Sequence, residues 1–182
     1  MSIDFTIVSA ACAALLTGCG ASTARLAAAP TIDGNGHPGF EGTVGVGVGI
    51  PLDVHGPSHH FLQAVGSVGG GLDGRTRTTE LVTTGGLDYL YWAAPRLEVR
   101  GGLRASYRRV ESVPVPTGLV GFGGHLGLLP VVIGNAAGPG AYHLCVGPEL
   151  HAEWLRGEPP GASRALLSLP LVVELTVLTA GD

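Results

Sequence analysis

Charged and imidazole side chains recur at alternate positions in two segments of the chain, and such groups could do chemistry. They are Arg96, Glu98, Arg100 and Arg104 in one segment, and His143, Glu149, His151 and Glu153 in the other. Neighbouring carboxylates and imidazoles can act as general acids and bases. Buried charges must also be paired in any fold, so the same set can form a structural network. We predict the structural network, with Arg100 paired to Glu149 and His125 as a further member.

A histidine cluster in "HGPSHH" could bind a transition metal through His55, His59 and His60. No cysteine and no second group of ligands stands nearby, and a loop of this composition is more often a polar turn. The sequence therefore predicts no metal and no cofactor, and these three histidines are kept as the candidates.

No catalytic motif accompanies these residues. The chain lacks both the Gly-x-Ser-x-Gly elbow and a phosphate-binding loop. The stretch "GVGVGI" has no following helix of the kind that dinucleotide binding requires. We predict no catalytic residue.

The composition is unusual for a protein surrounded by water. Hydrophobic residues make up 45% and charged residues 13%, and all ten basic residues are arginine. Soluble domains carry about 25% charged residues. Much of the surface should therefore face something other than water. The net charge of −4 and the lack of a dense basic patch argue against nucleic acid as a partner.

Apolar residues alternate with other residues in segments that turn-rich stretches separate. Regularly spaced strands of this kind are typical of a sandwich or a barrel. Seven such segments occur, at roughly 41–52, 60–72, 79–92, 96–110, 117–132, 141–155 and 164–178.

The second face of each segment decides between two arrangements. A soluble barrel turns its polar face to water, whereas a transmembrane barrel turns its apolar face to lipid. In "RLEVRGGLRASYR", Leu97, Val99 and Leu103 oppose a charged face, and elsewhere the opposing face is largely glycine. Glycine with a few charges suits a narrow lumen better than a wet surface. The segments also exceed the roughly 9–11 residues of a membrane strand.

Aromatic residues gather near the segment ends, as in the girdles at the two interfaces of a membrane barrel. The alternative is that they cap a soluble core. The predicted interface residues are Tyr89, Tyr91, Trp92, Tyr107, Tyr142 and Trp154.

Single-chain bacterial barrels have an even number of strands, so one strand must be added to the seven. The stretch "TARLAAAPTI" is the best place for it, and the short break "AAP" should then be periplasmic. Over roughly residues 22–182 the pattern resembles small eight-stranded outer-membrane barrels. The resemblance implies an all-β, up-and-down antiparallel transmembrane barrel, with outer-membrane lipids and the barrel-assembly machinery as partners. The ending "VLTAGD" departs from the aromatic terminus that such barrels often have.

The N-terminal Leu16-Thr17-Gly18-Cys19 follows an apolar run and resembles a bacterial lipobox. The resemblance implies a signal peptide at 1–18, acylation of Cys19 by chains such as palmitate, a tether at 19–39 that can include the first strand, and a barrel domain at 40–182. It also implies a lipid-anchored protein in the outer membrane of a Gram-negative cell. No basic residue precedes the apolar run, unlike in a secretory signal. Cys12 fits the motif less well, and a short buried apolar helix is the alternative.

Together these features predict an outer-membrane β-barrel lipoprotein with a structural or surface-interaction role and no catalysis. Two alternatives stay open: a lipid-modifying barrel enzyme, and a lipid-tethered soluble carrier of lipocalin-like or β-sandwich fold.

Overall fold

The computed structural model describes residues 20–52, 60–94, 96–111, 117–135, 142–157 and 163–179, and these form β-strands and turns. No helix among the residues described is long and apolar enough to cross a membrane. The strands are β1 (Gly20–Asp33), β2 (Pro38–Pro51), β3 (His60–Leu72), β4 (Thr79–Ala94), β5 (Leu97–Val110), β6 (Thr117–Asn135), β7 (Tyr142–Gly157), β8 (Arg164–Ser168) and β9 (Leu171–Thr179).

The sheet closes on itself. Each strand from β1 to β7 pairs antiparallel with the next, and β1 pairs with β2 on one side and with β8 and β9 on the other. Both β8 and β9 also pair with β7, so they are one strand interrupted at Leu169 and Pro170. Proline interrupts the ladder because it has no N–H to donate. The fold is a closed, eight-stranded, antiparallel up-and-down β-barrel, which confirms the predicted fold class.

Strand β1 is the strand that parity required in "TARLAAAPTI". It is longer than that stretch, so most of the segment that resembles a tether belongs to the barrel wall. Its alternation is hard to recognise because alanines stand on both faces, with Ala27 and Ala29 inward and Ala28 outward.

The barrel has apolar residues outside and charged residues inside. On β5, for example, Leu103 is 61% exposed on the outer face whereas Arg100 is 1% exposed in the lumen. Glycines of β2 such as Gly47 and Gly49 face inward and leave space for these charged groups. The centre of the interior is therefore charged, and buried apolar clusters lie inside the barrel nearer each rim.

The two ends of the barrel differ. Gly20 pairs with Thr179, so both ends of the described chain lie at one end of the barrel, here called the terminal rim. The opposite end, the loop rim, carries the β1–β2 and β3–β4 turns. Asp33 and Asp73 shape these turns by accepting hydrogen bonds from backbone N–H groups two to four residues ahead.

Candidate functional site

A buried arginine organises the centre of the lumen. Arg100 Nη1 donates to Glu174 Oε2 at 2.5 Å, and Nη2 donates to the other oxygen of Glu174 and to Glu98 Oε1 at 2.7 Å. Asp88 Oδ2 lies 3.8 Å from Nη1. Fork-shaped pairing of this kind is the strongest geometry available to a buried guanidinium. The predicted ion-pair network is thus present around Arg100.

Glu149 is held mainly by residues other than Arg100. Arg25 Nη2 donates directly to Glu149 Oε2, and the same oxygen lies 2.7 Å from His151 Nε2. The Arg100 Nη1–Glu149 Oε1 distance is 4.0 Å. The predicted pair is therefore within ion-pair range but is a secondary contact. Arg25 was missed because it lies in the segment that resembles a tether.

Two histidines join the central group to its neighbours. His125 Nε2 lies 3.3 Å from Asp88 Oδ2 and 3.4 Å from Arg104 Nη2. The His125 and His151 rings lie 5.3 Å apart on paired positions of β6 and β7. Each imidazole is thus tied to a carboxylate, which fixes its orientation.

A second arginine cluster lies nearer the loop rim. Arg108 Nη1 donates to Glu41 Oε2 at 2.6 Å and to Glu80 Oε1 at 3.1 Å, and Nη2 donates to Glu153 Oε2 at 2.9 Å. Ser106 donates a further hydrogen bond to Glu153. Between this cluster and the central one lies a cavity of about 40 Å³, lined in part by Arg104, His151 and Ser168. A cavity of this size holds a few waters at most.

An ion pair fixes the β3–β4 turn at the loop rim. Arg164 at the start of β8 donates to Asp73, whose other oxygen accepts from the Thr76 N–H at 2.8 Å. Burial acts to raise the pKa of Asp73, but the Thr76 hydrogen bond and the Arg164 charge together hold it below its usual range.

Apolar side chains pack together inside the barrel near the terminal rim. Trp92 packs on Phe61 and His143, with ring centroids 5.0 and 4.4 Å apart, and its Nε1 donates to Glu98 Oε2 at 3.2 Å. The prediction of Trp92 as an interface residue is therefore wrong. Trp92 follows Tyr91 by one residue, so the pleat of β4 turns it inward.

The other predicted interface residues do face outward. Tyr89, Tyr91 and Tyr142 lie toward the terminal rim, and Tyr107 and Trp154 toward the loop rim. The sequence reading missed Phe122, which pairs with Trp154 across β6 and β7 and is 64% exposed.

Arg96 is a further correction. It lies in the β4–β5 turn with an exposed side chain, outside the lumen, because β4 ends at Ala94 and β5 begins only at Leu97. The remaining predicted network members all line the lumen: Glu98, Arg100, Arg104, His143, Glu149, His151 and Glu153.

Several predictions fall beyond the described part of the chain. Cys19, the signal peptide and the histidines at 55 and 59 lie outside it. His60 begins β3 on the outer face, stacked on Tyr91 with its Nδ1 2.5 Å from Tyr89 Oη. Among the described residues no group of three or more His, Cys, Asp or Glu is arranged to hold a metal ion.

Sequence reasoning left out several network members, although the parity of their positions on each strand could have identified most of them. Glu80 and Asp88 stand at even-numbered positions of β4, which face inward. Arg108 follows the inward-facing Arg104 by four residues on β5, so it faces inward too. The missed members are Arg25, Glu41, Glu80, Asp88, Arg108, Arg164 and Glu174.

No family model and no curated protein sequence matches this chain. Among solved structures it is similar to Neisserial surface protein A (NspA), with a TM-score of 0.58, 14% sequence identity, and coverage of 87% of this chain and 96% of that chain. The N-terminal β-barrel domain of Pseudomonas aeruginosa OprF matches with a TM-score of 0.38 and 12% identity over 85% of this chain and 98% of that one. The similarity to NspA supports the barrel fold.

Proposed function

We propose that this protein is an outer-membrane β-barrel that spans the bilayer and has a structural or surface-interaction role, without catalysis. The observation that carries the proposal is the inverted barrel, in which large apolar side chains such as Leu103, Leu126 and Val132 are more than half exposed while arginines and carboxylates are buried. An exposed apolar surface that encircles a protein needs an apolar surrounding. A closed barrel can enter one because every strand edge is paired.

The aromatic residues support the same proposal. Exposed tyrosines lie toward the terminal rim, and Tyr107, Phe122 and Trp154 lie toward the loop rim. Tyrosine and tryptophan concentrate where hydrocarbon meets headgroups. The strands, most of them 13 residues or longer, are sufficient for a tilted crossing.

The filled lumen supports a role in which no solute passes through the barrel. Its carboxylates and guanidiniums are paired with each other, and the cavity between the two arginine clusters is small. Charged side chains that form ion pairs across a lumen in this way act as an internal plug.

We further propose that Cys19 carries the lipid anchor. Gly20, the next residue, begins β1 at the terminal rim. Acyl chains on Cys19 would then enter the leaflet next to that rim, which is the periplasmic one if the loop rim faces outward.

Two measurements test the proposal. Membrane fractions of cells expressing the full chain are run on SDS gels with and without boiling, and extracted with urea or carbonate. We expect a heat-dependent shift in migration and retention in the pellet. Release by the wash without a shift would contradict a spanning barrel. Labelled palmitate incorporated in wild type but not in Cys19→Ala supports the anchor, and its absence from both would refute the anchor alone.

The inverted barrel argues against a soluble carrier as the alternative function. Such a carrier binds apolar ligands in an apolar interior, whereas here the interior holds the Arg100 and Arg108 clusters. The described residues offer no observation that favours a lipid-modifying enzyme.

A further inference from the structure

Two outward-facing arginines stand beside aromatic side chains at the loop rim. Arg109 of β5 pairs with Gly118 of β6. Two residues nearer the barrel centre, Tyr107 of β5 pairs with Val120 of β6. Val120 also pairs with Arg156 of β7 on its other side. The next outward pair is Phe122 and Trp154. We call this group the arginine–aromatic patch: Tyr107, Arg109, Phe122, Trp154 and Arg156.

Both arginines are accessible. The Arg109 side chain is 53% exposed, and its Nε lies 3.6 Å from Oε1 of Glu111, itself exposed. An ion pair between exposed side chains contributes little, so it leaves the guanidinium able to bind another anion. Arg156 is exposed as well, and no ion pair joins it to a carboxylate of the described residues.

Glycine at position 118 leaves a notch beside Arg109, two residues nearer the rim than Val120, the partner of Arg156. A Cβ there would lie 3.1 Å from Tyr107 Oη, so the tyrosine leans over the backbone where a larger residue would stand. A group bound between Arg109 and Arg156 would find backbone and a phenol hydroxyl at the base of this notch.

The chemistry of the patch fits a phosphate at headgroup depth. Aromatic side chains mark the level at which hydrocarbon gives way to headgroups, and Arg109 lies beyond Tyr107 toward the rim. Guanidinium forms bidentate hydrogen bonds to phosphate oxygens. We propose that the arginine–aromatic patch binds the phosphate of an anionic membrane lipid. This inference rests on the proposed function, because only a membrane-spanning barrel brings the patch to lipid headgroups.

The terminal rim lacks a comparable arrangement among the residues described. Its outward face carries His60, Tyr89 and Tyr91 with no arginine beside them, and Arg96 lies in the turn beyond the strands. The patch therefore binds lipid in the leaflet around the loop rim.

The test is lipid binding measured by native mass spectrometry of the purified barrel, released from micelles that contain phosphatidylglycerol or phosphatidylcholine with the same acyl chains. We expect wild type to retain phosphatidylglycerol preferentially. The double variant Arg109→Gln, Arg156→Gln should bind it on the order of 30-fold more weakly, since each arginine near an anionic surface contributes several-fold.

The matched control is Arg75→Gln, Arg77→Gln, which removes the same charge from the β3–β4 turn at the same rim. It should bind phosphatidylglycerol like wild type. Equal losses in both double variants, or no preference for phosphatidylglycerol in wild type, would overturn the proposal. Inorganic phosphate at millimolar concentration should not displace the lipid, and displacement would overturn the proposed occupant in favour of a free-anion site.

A heat-dependent gel shift, recorded for every variant, separates this inference from the proposed function. A shift without a lipid preference refutes the patch alone. Absence of the shift in wild type refutes the spanning barrel.

Discussion

Arg100 and Glu174 face each other across the barrel interior and share two hydrogen bonds, one of them 2.5 Å long from Nη1 to Oε2. Their strands β5 and β9 are not neighbours in the sheet. The pair therefore links two strands that β6 and β7 separate, and Glu98 adds a third hydrogen bond to the same guanidinium.

Replacing Arg100 by Met should destabilise the barrel strongly. It leaves the carboxylates of Glu98 and Glu174 buried without their guanidinium, and removing one member of a buried pair costs about 3–5 kcal/mol. The free energy of unfolding is measured by urea titration in lipid vesicles. Arg100→Met with Glu174→Leu should recover part of the loss. The exposed Arg109→Met serves as control, and a loss there as large as in Arg100→Met would count against the central pair.

Double-mutant cycles should rank the two arginines near Glu149. Arg25 donates to Glu149 directly, whereas Arg100 Nη1 stands 4.0 Å from it. Coupling energies between residues in contact run from about 0.5 to 3 kcal/mol. We expect Arg25→Met with Glu149→Leu to give the larger coupling, and Arg100→Met with Glu149→Leu the smaller. The reverse order would restore the pair that the sequence suggested.

The contrast between Arg25 and Arg100 shows which features of the network the sequence could predict and which it could not. Alternation identified seven of the eight strands and the inward position of Arg100 and Glu149, because the side-chain period of a strand is fixed. Partner choice across the lumen depends on the stagger between strands, which alternation in one strand does not contain. Trp92 shows a different limit: an aromatic residue at a strand end fits a girdle by type, but its parity relative to Tyr91 sends it inside.

Adding a methyl group at Gly47 should disturb the lumen wall. A Cβ there would stand 2.8 Å from Gln63 Cδ and close to Thr23 Oγ1. Gln63 Nε2 donates a 3.1 Å hydrogen bond to that Thr23 oxygen. Overpacking of this kind costs about 1–3 kcal/mol. Gly42→Ala in the same strand is the control, because its Cβ would have no neighbour nearer than 3.9 Å. Thermal unfolding in detergent should show a lower midpoint for Gly47→Ala alone, and equal midpoints would argue against a tightly filled interior at this level.

Asp73 should make the stability of the loop rim depend on pH. The Thr76 hydrogen bond and the Arg164 charge outweigh burial and hold its pKa below the unfolded value of about 3.9. Its charge therefore stabilises the folded state above that value, and the contribution is lost as pH falls through the unfolded pKa toward the folded one. Asp73→Asn keeps an oxygen that can accept from the turn amides, so it removes mainly the charge. The difference in thermal midpoint between wild type and Asp73→Asn should be present at pH 6 and shrink as the pH falls below about 3.9. A difference that stays constant with pH would assign the effect to hydrogen bonding instead.

The two tryptophans should report opposite sides of the barrel wall. Trp154 is 59% exposed on the outer face, whereas Trp92 lies inside against Phe61 and His143. Because the chain has two tryptophans, Trp92→Phe leaves Trp154 as the only indole, and Trp154→Phe leaves Trp92. In vesicles of brominated lipid, fluorescence should be quenched strongly in Trp92→Phe and weakly in Trp154→Phe, since bromine quenches over short distances. Acrylamide in the aqueous phase gives the complementary control. Weak quenching by lipid with strong quenching by acrylamide in Trp92→Phe would mean that the outer face meets water. That result would contradict the spanning barrel, while strong lipid quenching of both variants would contradict only the inward position of Trp92.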